Sequence, residues 1–160
     1  MLKEVLLQKI ISTLQADFTL FTGAAQTAHA AATHAECLPD NKYDTTALEA
    51  SYVAQGQANR AQEIRQALEI YRMLALRPFT DATPIRLSAL VTIEAEDGNR
   101  RQVFLGPAAG GMKVVVEEEE SLVITPESQL GRALLGQCCG DEVEVGDGAA
   151  SKIYTIVKVC

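Results

Sequence analysis

The chain has no tryptophan, only four phenylalanines and four tyrosines among 160 residues, and no long uninterrupted apolar run. A membrane-spanning helix needs about 20 consecutive apolar residues, and the chain shows no segment with the pattern of a signal peptide. We therefore expect a cytoplasmic protein that does not associate with membranes. Apolar residues still make up 48% of the chain, which is enough for a hydrophobic core.

An excess of positive charge is also missing. The net charge is -7, with 7 basic and 8 acidic residues up to Pro78 and 7 basic and 13 acidic residues after it. Proteins that bind nucleic acids through bulk electrostatics concentrate lysine and arginine on one face or segment. This composition excludes that mode of binding for either half of the chain.

The cysteine pattern gives no disulfide framework and no zinc motif. The four cysteines, at positions 37, 138, 139 and 160, form no CxxC pair, and the adjacent pair is poorly placed for an ordinary disulfide. Reduced thiols are the simplest interpretation. His29, His34 and Cys37 could be read as zinc ligands, but their steps of five and three do not place them on one helical face.

Apolar residues in the first half of the chain follow a helical period. On a first helix predicted from Leu2 to about Glu36, they are separated by alternating steps of four and three, as in a coiled-coil seam. These residues are Leu7, Ile11, Leu14, Phe18, Phe21, Ala25, Ala28, Ala32 and Ala35. A second helix, predicted from about Thr45 to Leu76, carries Ala54, Ala58, Ala61, Ile64, Leu68, Tyr71 and Ala75.

The side-chain sizes on the two helices run in opposite directions, which predicts an antiparallel hairpin. Pairing Leu14 with Leu68 and Phe21 with Ala61 keeps the two residue numbers summing to 82 and places Asn41 at the apex. At a rise of about 1.5 Å per residue, each arm would reach about 50 Å. Bulky residues would pack the base, whereas alanine would let the two backbones approach closely toward the tip.

The connection between the helices reads CLPDNKYDTTALEASY and carries two carboxylates, Asp40 and Asp44. Asn41, Lys42 and Tyr43 separate them, so both acids lie at the tip of a long and thin hairpin. Hard cations such as magnesium take oxygen ligands and keep several waters, so one or two carboxylates complete a site supplied mainly by another molecule. The tip therefore favours a metal role inside a partner's active site. The alternative for Asp40 is an ordinary solvated turn residue after proline.

Residues around the tip also predict where the helices end. Pro39 disfavours a helical conformation at Leu38. Thr46 and Glu49 have the spacing of a capping box at the start of the second helix. Asp44 is an equally good cap because aspartate accepts hydrogen bonds from the free amides at a helix start. Its capping and metal-binding roles are compatible.

After Pro78 the apolar period changes to two. Ile85, Leu87, Ala89, Val91 and Ile93 alternate with mainly polar neighbours, and Asp97-Gly98 is a hairpin signal before a strand at Gln102–Leu105. Further strands are predicted at Met112–Val116, Leu122–Ile124, Glu142–Val145 and Lys152–Val159, with a short helix near Ser128–Leu135. The pattern indicates an α+β domain with a twisted antiparallel sheet and a helix on one face. The run Glu117–Glu120 is typical of a solvated loop that also discourages edge-to-edge aggregation.

The stretch TPESQLGRALLGQCCGDEVEV, preceded by FLGPAAGGMKVVV, resembles the C-terminal domain of the bacterial transcript-cleavage factors GreA and GreB. In that family a Ser-Pro-Leu-Gly-Arg turn, a short helix and a Gly-Asp strand entry recur. Gln129 stands here in place of the usual proline. The tip sequence DNKYDTTALEASYVAQGQA is similar to that of a GreA/GreB-like group with a variant tip.

The resemblance implies an N-terminal antiparallel coiled-coil hairpin over residues 1–78, with its tip near 37–45, and an FKBP-like domain over 79–160. It also implies RNA polymerase as the partner and a monomeric factor. In this family the hairpin passes down the secondary channel of the polymerase. There the tip acids help to hold a second magnesium, so that the polymerase hydrolyses the 3′ end of a backtracked nascent RNA. Asp40 and Asp44 would share this magnesium only in the complex, and the chain would bind no cofactor alone.

The tip departs from GreA and GreB at the acidic positions themselves. With the sequences aligned on Tyr52, the places of the two cleavage acids hold Thr45 and Leu48. Asp44 and Glu49 are each one residue out of register. Asp40 and Asp44 would therefore correspond to the cleavage acids through their place at the hairpin tip and not through the sequence alignment.

Three functions from different classes follow. The first is an elongation factor that stimulates transcript cleavage through Asp40 and Asp44, and the second is a secondary-channel regulator that does not stimulate cleavage. The third is a peptidyl-prolyl isomerase, suggested by the FKBP-like domain class. An isomerase pocket of that type is lined by aromatic residues, and this half of the chain offers only Phe79, Phe104 and Tyr154.

Overall fold

The computed structural model describes residues 2–33 and 46–160, and it has an α+β architecture. A helical hairpin comes first, formed by α1 (Leu2–Thr33) and α2 (Thr46–Arg72). The strands are β1 (Leu90–Ala95), β2 (Arg100–Leu105), β3 (Lys113–Val116), β4 (Glu119–Ile124), β5 (Glu142–Val145) and β6 (Lys152–Val159). A short helix, α3 (Gln129–Leu134), follows β4, and a single 3₁₀ turn (Gly148–Ala150) precedes β6. The predicted hairpin followed by a sheet domain with a short helix is confirmed.

The six strands form one sheet in the order β3-β4-β2-β1-β6-β5. Four of the neighbouring pairs are antiparallel, as predicted, but β2 and β4 are parallel. The antiparallel prediction is wrong for this pair because β3 turns outward to become the sheet edge. The chain then reverses a second time, and β4 returns between β3 and β2 in the direction of β2.

The core of the sheet domain lies between one sheet face and α3. It consists of buried aliphatic side chains and one tyrosine: Ile85, Ala89, Val91, Ile93, Val103, Leu105, Ile124, Leu134, Val143, Tyr154, Ile156 and Val159. The strand residues in this set alternate with residues of the opposite face, except on β6, where Ile156 and Val159 are three residues apart at a register shift against β1. The predicted core-facing side is confirmed for Ile85, Ala89, Val91 and Ile93, whereas Leu87 lies in the turn before β1 and is exposed.

The Ser-Gln-Leu-Gly segment at α3 has a structural role. The Ser128 hydroxyl accepts a hydrogen bond from the Gly131 amide at 3.0 Å and donates one to the Thr125 carbonyl at 2.7 Å, so Ser128 caps the helix. A Cβ atom at Gly131 would clash with the Thr125 carbonyl oxygen. Gln129 is the first helical residue, where proline is also well tolerated. The absence of proline there is thus compatible with the same turn.

Two predicted element boundaries differ from the structure by four residues or more, and the starts of β2, β3 and β4 differ by one to three. The second helix ends at Arg72 rather than at Leu76, and its last turn tightens through bonds from the Met73 and Leu74 amides to carbonyls three residues back. The first strand begins at Leu90 rather than at Ile85. The chain turns just before it, where Ser88 has a φ of 75° and its hydroxyl accepts a hydrogen bond from the Arg77 amide at 2.9 Å.

The sequence predicted a solvated loop at Glu117–Glu120. The structure instead places this acidic run in a tight turn and the start of a strand. Glu117 and Glu118 form a two-residue turn with φ values of 51° and 70°, and the next two glutamates begin β4. Positive φ at both central residues matches the twist of a tight β-hairpin. Glutamate rarely adopts this conformation, so a pair of glutamates is not a recognisable turn signal.

Two compact units divide the chain: Met1–Ile11 together with Ile70–Cys160, and Ser12–Glu69. The base of the hairpin thus belongs to the unit that contains the sheet. The division at residue 78 remains a prediction about domains.

Within the first unit, two side chains attach the hairpin base to the sheet domain. The Tyr71 hydroxyl donates a hydrogen bond of 2.6 Å to the Ala108 carbonyl, and burial raises the pKa of Tyr71 well above its ordinary value. The Lys3 ammonium donates to the Arg77 and Ser88 carbonyls and lies 4.6 Å from the centre of the Phe79 ring. Partial burial lowers the pKa of Lys3.

Candidate functional site

The predicted site residues Asp40, Asn41, Lys42, Tyr43 and Asp44 lie outside the described residues, as do the predicted apex and most of the predicted tip. The structure describes the two helices that lead to this segment. The described part of α2 begins at Thr46, directly after residues outside the described ranges, so the capping box at Thr46 and Glu49 remains a prediction. Glu49 lies in the first turn of α2, where a carboxylate interacts favourably with the free amides.

The burial pattern of α1 follows the predicted seam with one difference at the base. Leu14 is buried, and the seam residues Phe18, Phe21, Ala25 and Ala28 are half-buried. Nearer the N-terminus, Leu6 and Ile10 are more deeply buried than their seam neighbours Leu7 and Ile11. This end of α1 belongs to the compact unit that contains the sheet.

The burial pattern of α2 also changes along its length. Ala61, Ile64, Ala67, Leu68 and Tyr71 are buried toward its C-terminal end. Closer to the start of the helix, Ala54 is half-buried and Ala58 is exposed. The predicted increase in seam side-chain size from the start of α2 toward its C-terminal end is therefore present. Ala75, placed in the seam by the sequence, lies beyond the helix and is exposed.

The unit Ser12–Glu69 contains a shallow groove of about 560 Å³ between the two helices. Its lining comes from α1 between Phe18 and His29 and from α2 between Ser51 and Arg65. Alanines 25, 54, 58 and 61 provide small side chains of this lining, and glutamines 26, 55 and 62 supply three of its seven polar side chains. The Thr22 hydroxyl at the groove is buried without a hydrogen-bond partner among the described residues. Sequence reasoning predicted the small residues but not the groove itself.

The described residues offer no metal centre of their own. No group of three or more histidine, cysteine, aspartate or glutamate side chains within residues 2–33 and 46–160 is arranged to hold a metal ion. Cys138, Cys139 and Cys160 are free thiols. Two members of the considered zinc set, His34 and Cys37, lie outside the described ranges. None of the described helices combines the length and apolar character needed to span a bilayer.

Two aromatic residues considered for an isomerase pocket are parts of the core. Phe104 is fully buried, and Tyr154 is buried with the α3-side core. Phe79 packs against that core with the Lys3 ammonium beside its ring. An aromatic-lined ligand pocket is therefore absent from this part of the described structure.

Comparison with known proteins gave structural similarities only. No protein-family profile matches the chain, and no curated protein matches it. Among solved structures, it is similar to GreA factor homolog 1 (Gfh1) of Thermus thermophilus, with 20% identity over 94% of each chain and a TM-score of 0.38. Gfh1 of Thermus aquaticus shows 19% identity over 95% of this chain and 92% of its own, with a TM-score of 0.38.

A third similar structure is a prokaryotic transcription elongation factor GreA/GreB from Nitrosomonas europaea. It is 18% identical and covers 60% of this chain and 78% of its own, with a TM-score of 0.34. At these levels of identity and structural overlap, the comparisons carry no argument about function.

Proposed function

We propose that this chain is a secondary-channel factor of RNA polymerase that stimulates cleavage of backtracked transcripts. The observation that carries the proposal is the helical hairpin itself. Helices of 32 and 27 residues have lengths of about 48 and 40 Å. The segment that joins their distal ends, residues 34–45, includes Asp40 and Asp44. A hairpin of this length can deliver two carboxylates into a deep channel.

The proposed chemistry is metal-assisted hydrolysis of a phosphodiester bond. A magnesium ion bound by the polymerase and completed by Asp40 and Asp44 would lower the pKa of a bound water and stabilise charge on the leaving oxygen. The attacking water would form the new bond to phosphorus as the bond from phosphorus to the 3′ oxygen of the upstream nucleotide breaks. The upstream RNA would then keep a 3′ hydroxyl, and the 3′ fragment would be released with a 5′ phosphate. The chain itself has no enzyme activity in this proposal and holds magnesium only in the complex. We also propose that it acts as a cytoplasmic monomer.

Small side chains along the distal hairpin support insertion into a narrow space. Ala25 and Ala28 on α1 and Ala54 and Ala58 on α2 add little width to the helix pair. Alanine has the highest helix propensity, so these segments remain helical with little side-chain packing. This combination suits a hairpin that enters a channel and keeps its direction.

A second function, a regulator that binds the same channel without stimulating cleavage, is favoured by one sequence observation. Thr45 and Leu48 occupy the two positions that hold the cleavage acids when the tip is aligned on Tyr52. Neither side chain is a metal ligand of carboxylate type. Such a factor would occupy the channel and alter initiation or elongation. The isomerase alternative is disfavoured because Phe104 and Tyr154 are buried in the fold.

The deciding experiment is a transcript-cleavage assay on a backtracked bacterial polymerase complex in the presence of magnesium. We expect the wild-type chain to shorten the RNA from its 3′ end and the Asp40→Asn, Asp44→Asn double variant to lose at least about 100-fold in rate. Asparagine keeps the shape of aspartate and caps helices about as well. A purely capping role would therefore leave the rate nearly unchanged.

The matched control is Asp17→Asn, which removes a carboxylate from α1 away from the tip. It should cleave like the wild type. Equal cleavage by the double variant would exclude the carboxylate mechanism. Absence of cleavage by the wild type, with polymerase binding demonstrated in the same samples, would support the regulator.

A further inference from the structure

The strand β3 forms one edge of the sheet, so one side of its backbone has no partner strand among the described residues. On its other side it pairs with β4 through the tight turn at Glu117 and Glu118, and Val116 lies opposite Glu119. An unpaired strand edge presents a row of free backbone N–H and C=O groups. Such a row can accept an extended segment of another chain.

The register of the hairpin identifies the free groups. The residues that flank a two-residue turn form a hydrogen-bonded pair, and such pairs alternate along an antiparallel ladder. Val116 and Val114 therefore direct their backbone groups toward β4, where they lie opposite Glu119 and Ser121. The backbone groups of Lys113 and Val115 point to the open side of the edge. They can form up to four hydrogen bonds with an added strand.

Side-chain burial distinguishes β3 from the other sheet edge. Val114 and Val116 are buried, whereas Val115 is 52% exposed and offers an apolar contact beside the free backbone groups. On β5, at the opposite edge, the exposed side chains are those of Glu142 and Glu144. Only β3 thus combines a free edge with an exposed β-branched side chain among the described strand edges.

Charge at β3 favours one kind of added strand. The hairpin from Met112 to Leu122 contains four glutamates and a single lysine. Lys113 is bound in an ion pair with Glu120 at 3.0 Å, and the turn residues Glu117 and Glu118 are exposed. Four glutamates and one lysine give each hairpin a net charge of -3, which opposes the approach of two copies. Glu119 accepts a hydrogen bond from Gln102 and Glu120 pairs with Lys113, so the turn residues Glu117 and Glu118 are the carboxylates that would meet a lysine or arginine of an added strand.

We propose that β3 is a docking edge that binds an extended basic segment of a partner protein by strand addition. The backbone groups of Lys113 and Val115 supply the hydrogen bonds, and Val115 supplies the apolar contact. The glutamates of the turn select a basic segment and exclude a second copy of the chain. This inference does not depend on the tip carboxylates or on transcript cleavage.

The test is an NMR titration of the full chain with a capped peptide of about six alternating lysine and valine residues. We expect the largest amide shifts at Lys113, Val115 and the adjoining turn, together with slowed hydrogen exchange of the two outward-facing amides. A peptide with glutamate in place of lysine should bind at least about tenfold more weakly. Raised salt should weaken binding of the basic peptide.

Val115→Pro is the decisive variant because it removes an outward-facing N–H without removing a bond between β3 and β4. We expect this variant to weaken binding of the basic peptide by about tenfold or more, which corresponds to the loss of one or two hydrogen bonds. Val115→Ala keeps the N–H and should weaken binding by less than about threefold. Unchanged amide spectra outside the hairpin would show that both variants fold.

A chemically modified peptide provides a control that still applies if Val115→Pro disturbs the hairpin. A basic peptide N-methylated at every residue has no free N–H on either of its edges, so it should fail to bind the wild-type chain by strand addition. Equal binding of methylated and unmethylated peptides would overturn the proposal. So would amide shifts confined to another surface, or pairing of the chain with a second copy in preference to the peptide.

Discussion

The two compact units of this chain use different amounts of apolar burial. In the unit with the sheet, large side chains such as Phe104, Ile93 and Leu134 are essentially inaccessible to solvent. In the unit Ser12–Glu69, the large buried side chains among the described residues are Leu14, Ile64 and Leu68. Because hydrophobic stabilisation scales with the apolar area removed from water, stability should concentrate in the sheet unit.

The hairpin unit depends more on local interactions. Arg60 pairs with Glu63 at 3.0 Å and Arg65 with Glu69 at 3.3 Å, and all four side chains are largely exposed. Pairs of this kind contribute about 0.2–0.5 kcal/mol each in a helix. Helix propensity and a narrow apolar seam supply the rest.

Two phenylalanine truncations test the difference in burial directly. Phe104→Ala should lower the free energy of unfolding of the sheet unit by about 3–5 kcal/mol because it empties a fully buried site. Phe21→Ala should cost about 1 kcal/mol, since Phe21 is half-buried on α1 and its site stays open to water. Urea unfolding, combined with hydrogen exchange resolved by residue, gives the two values separately. Equal losses would show that the hairpin seam is as tightly packed as the sheet.

Two glycine substitutions should shift stability in opposite directions. Gly131→Ala should destabilise the sheet unit by about 1–3 kcal/mol, because the new methyl group would meet the Thr125 carbonyl oxygen. Gly56→Ala should stabilise α2 by about 0.5–1 kcal/mol, because nothing lies within 4 Å of the added atom and alanine favours helix. Thermal unfolding of both variants shows whether each substitution raises or lowers the stability. A destabilising Gly56→Ala would indicate an unrecognised close contact on α2.

Tyr71→Phe should cost about 1 kcal/mol, through loss of the hydrogen bond to the Ala108 carbonyl. It should also change the alkaline stability. The pKa of Tyr71 is raised by burial in the folded chain, so the folded state keeps its proton at pH values where the unfolded chain has lost it. The stability contribution is complete below the unfolded pKa of about 10 and is lost as pH rises above it.

The measurement is urea unfolding of wild type and Tyr71→Phe between neutral pH and a pH above the unfolded pKa of tyrosine. The wild type should lose stability more steeply on the alkaline side. Tyr52→Phe is the control because Tyr52 is 69% exposed on α2. Identical alkaline slopes for wild type and Tyr71→Phe would contradict the buried hydroxyl.

The sequence predicted those features of the fold that local periodicity carries. Apolar residues separated by alternating steps of three and four predicted the helical hairpin. Apolar residues with a period of two predicted most strands and their core-facing sides. The parallel pairing of β2 with β4 was missed because non-consecutive pairing leaves no mark in a local pattern. The hydrogen bond from Tyr71 to Ala108 joins residues 37 positions apart and was missed for the same reason. The turn at Glu117 and Glu118 lacked the usual glycine or asparagine.

The candidate site was predictable to a lesser degree. The sequence identified the small residues of the distal hairpin, and the structure places Ala25, Ala54 and Ala58 along one groove. The two tip acids remain predictions because they lie outside the described residues. Metal sharing is also a property of a complex rather than of one chain, so its geometry depends on groups that this sequence does not contain.

Ala58→Leu has the smallest expected effect on stability and separates the roles of the two units most clearly. Ala58 is exposed on α2 and lines the groove, so leucine there should change the free energy of unfolding by less than about 0.5 kcal/mol. If the hairpin enters a narrow channel, the added width should nevertheless reduce transcript cleavage by about tenfold or more. Ala58→Ser, which adds little volume at the same position, should retain cleavage near the wild-type rate. Full cleavage activity of Ala58→Leu, with thermal unfolding unchanged, would mean that the distal hairpin is not confined by a narrow channel. Insertion into the polymerase channel would then be excluded, even if the tip carboxylates proved essential for cleavage.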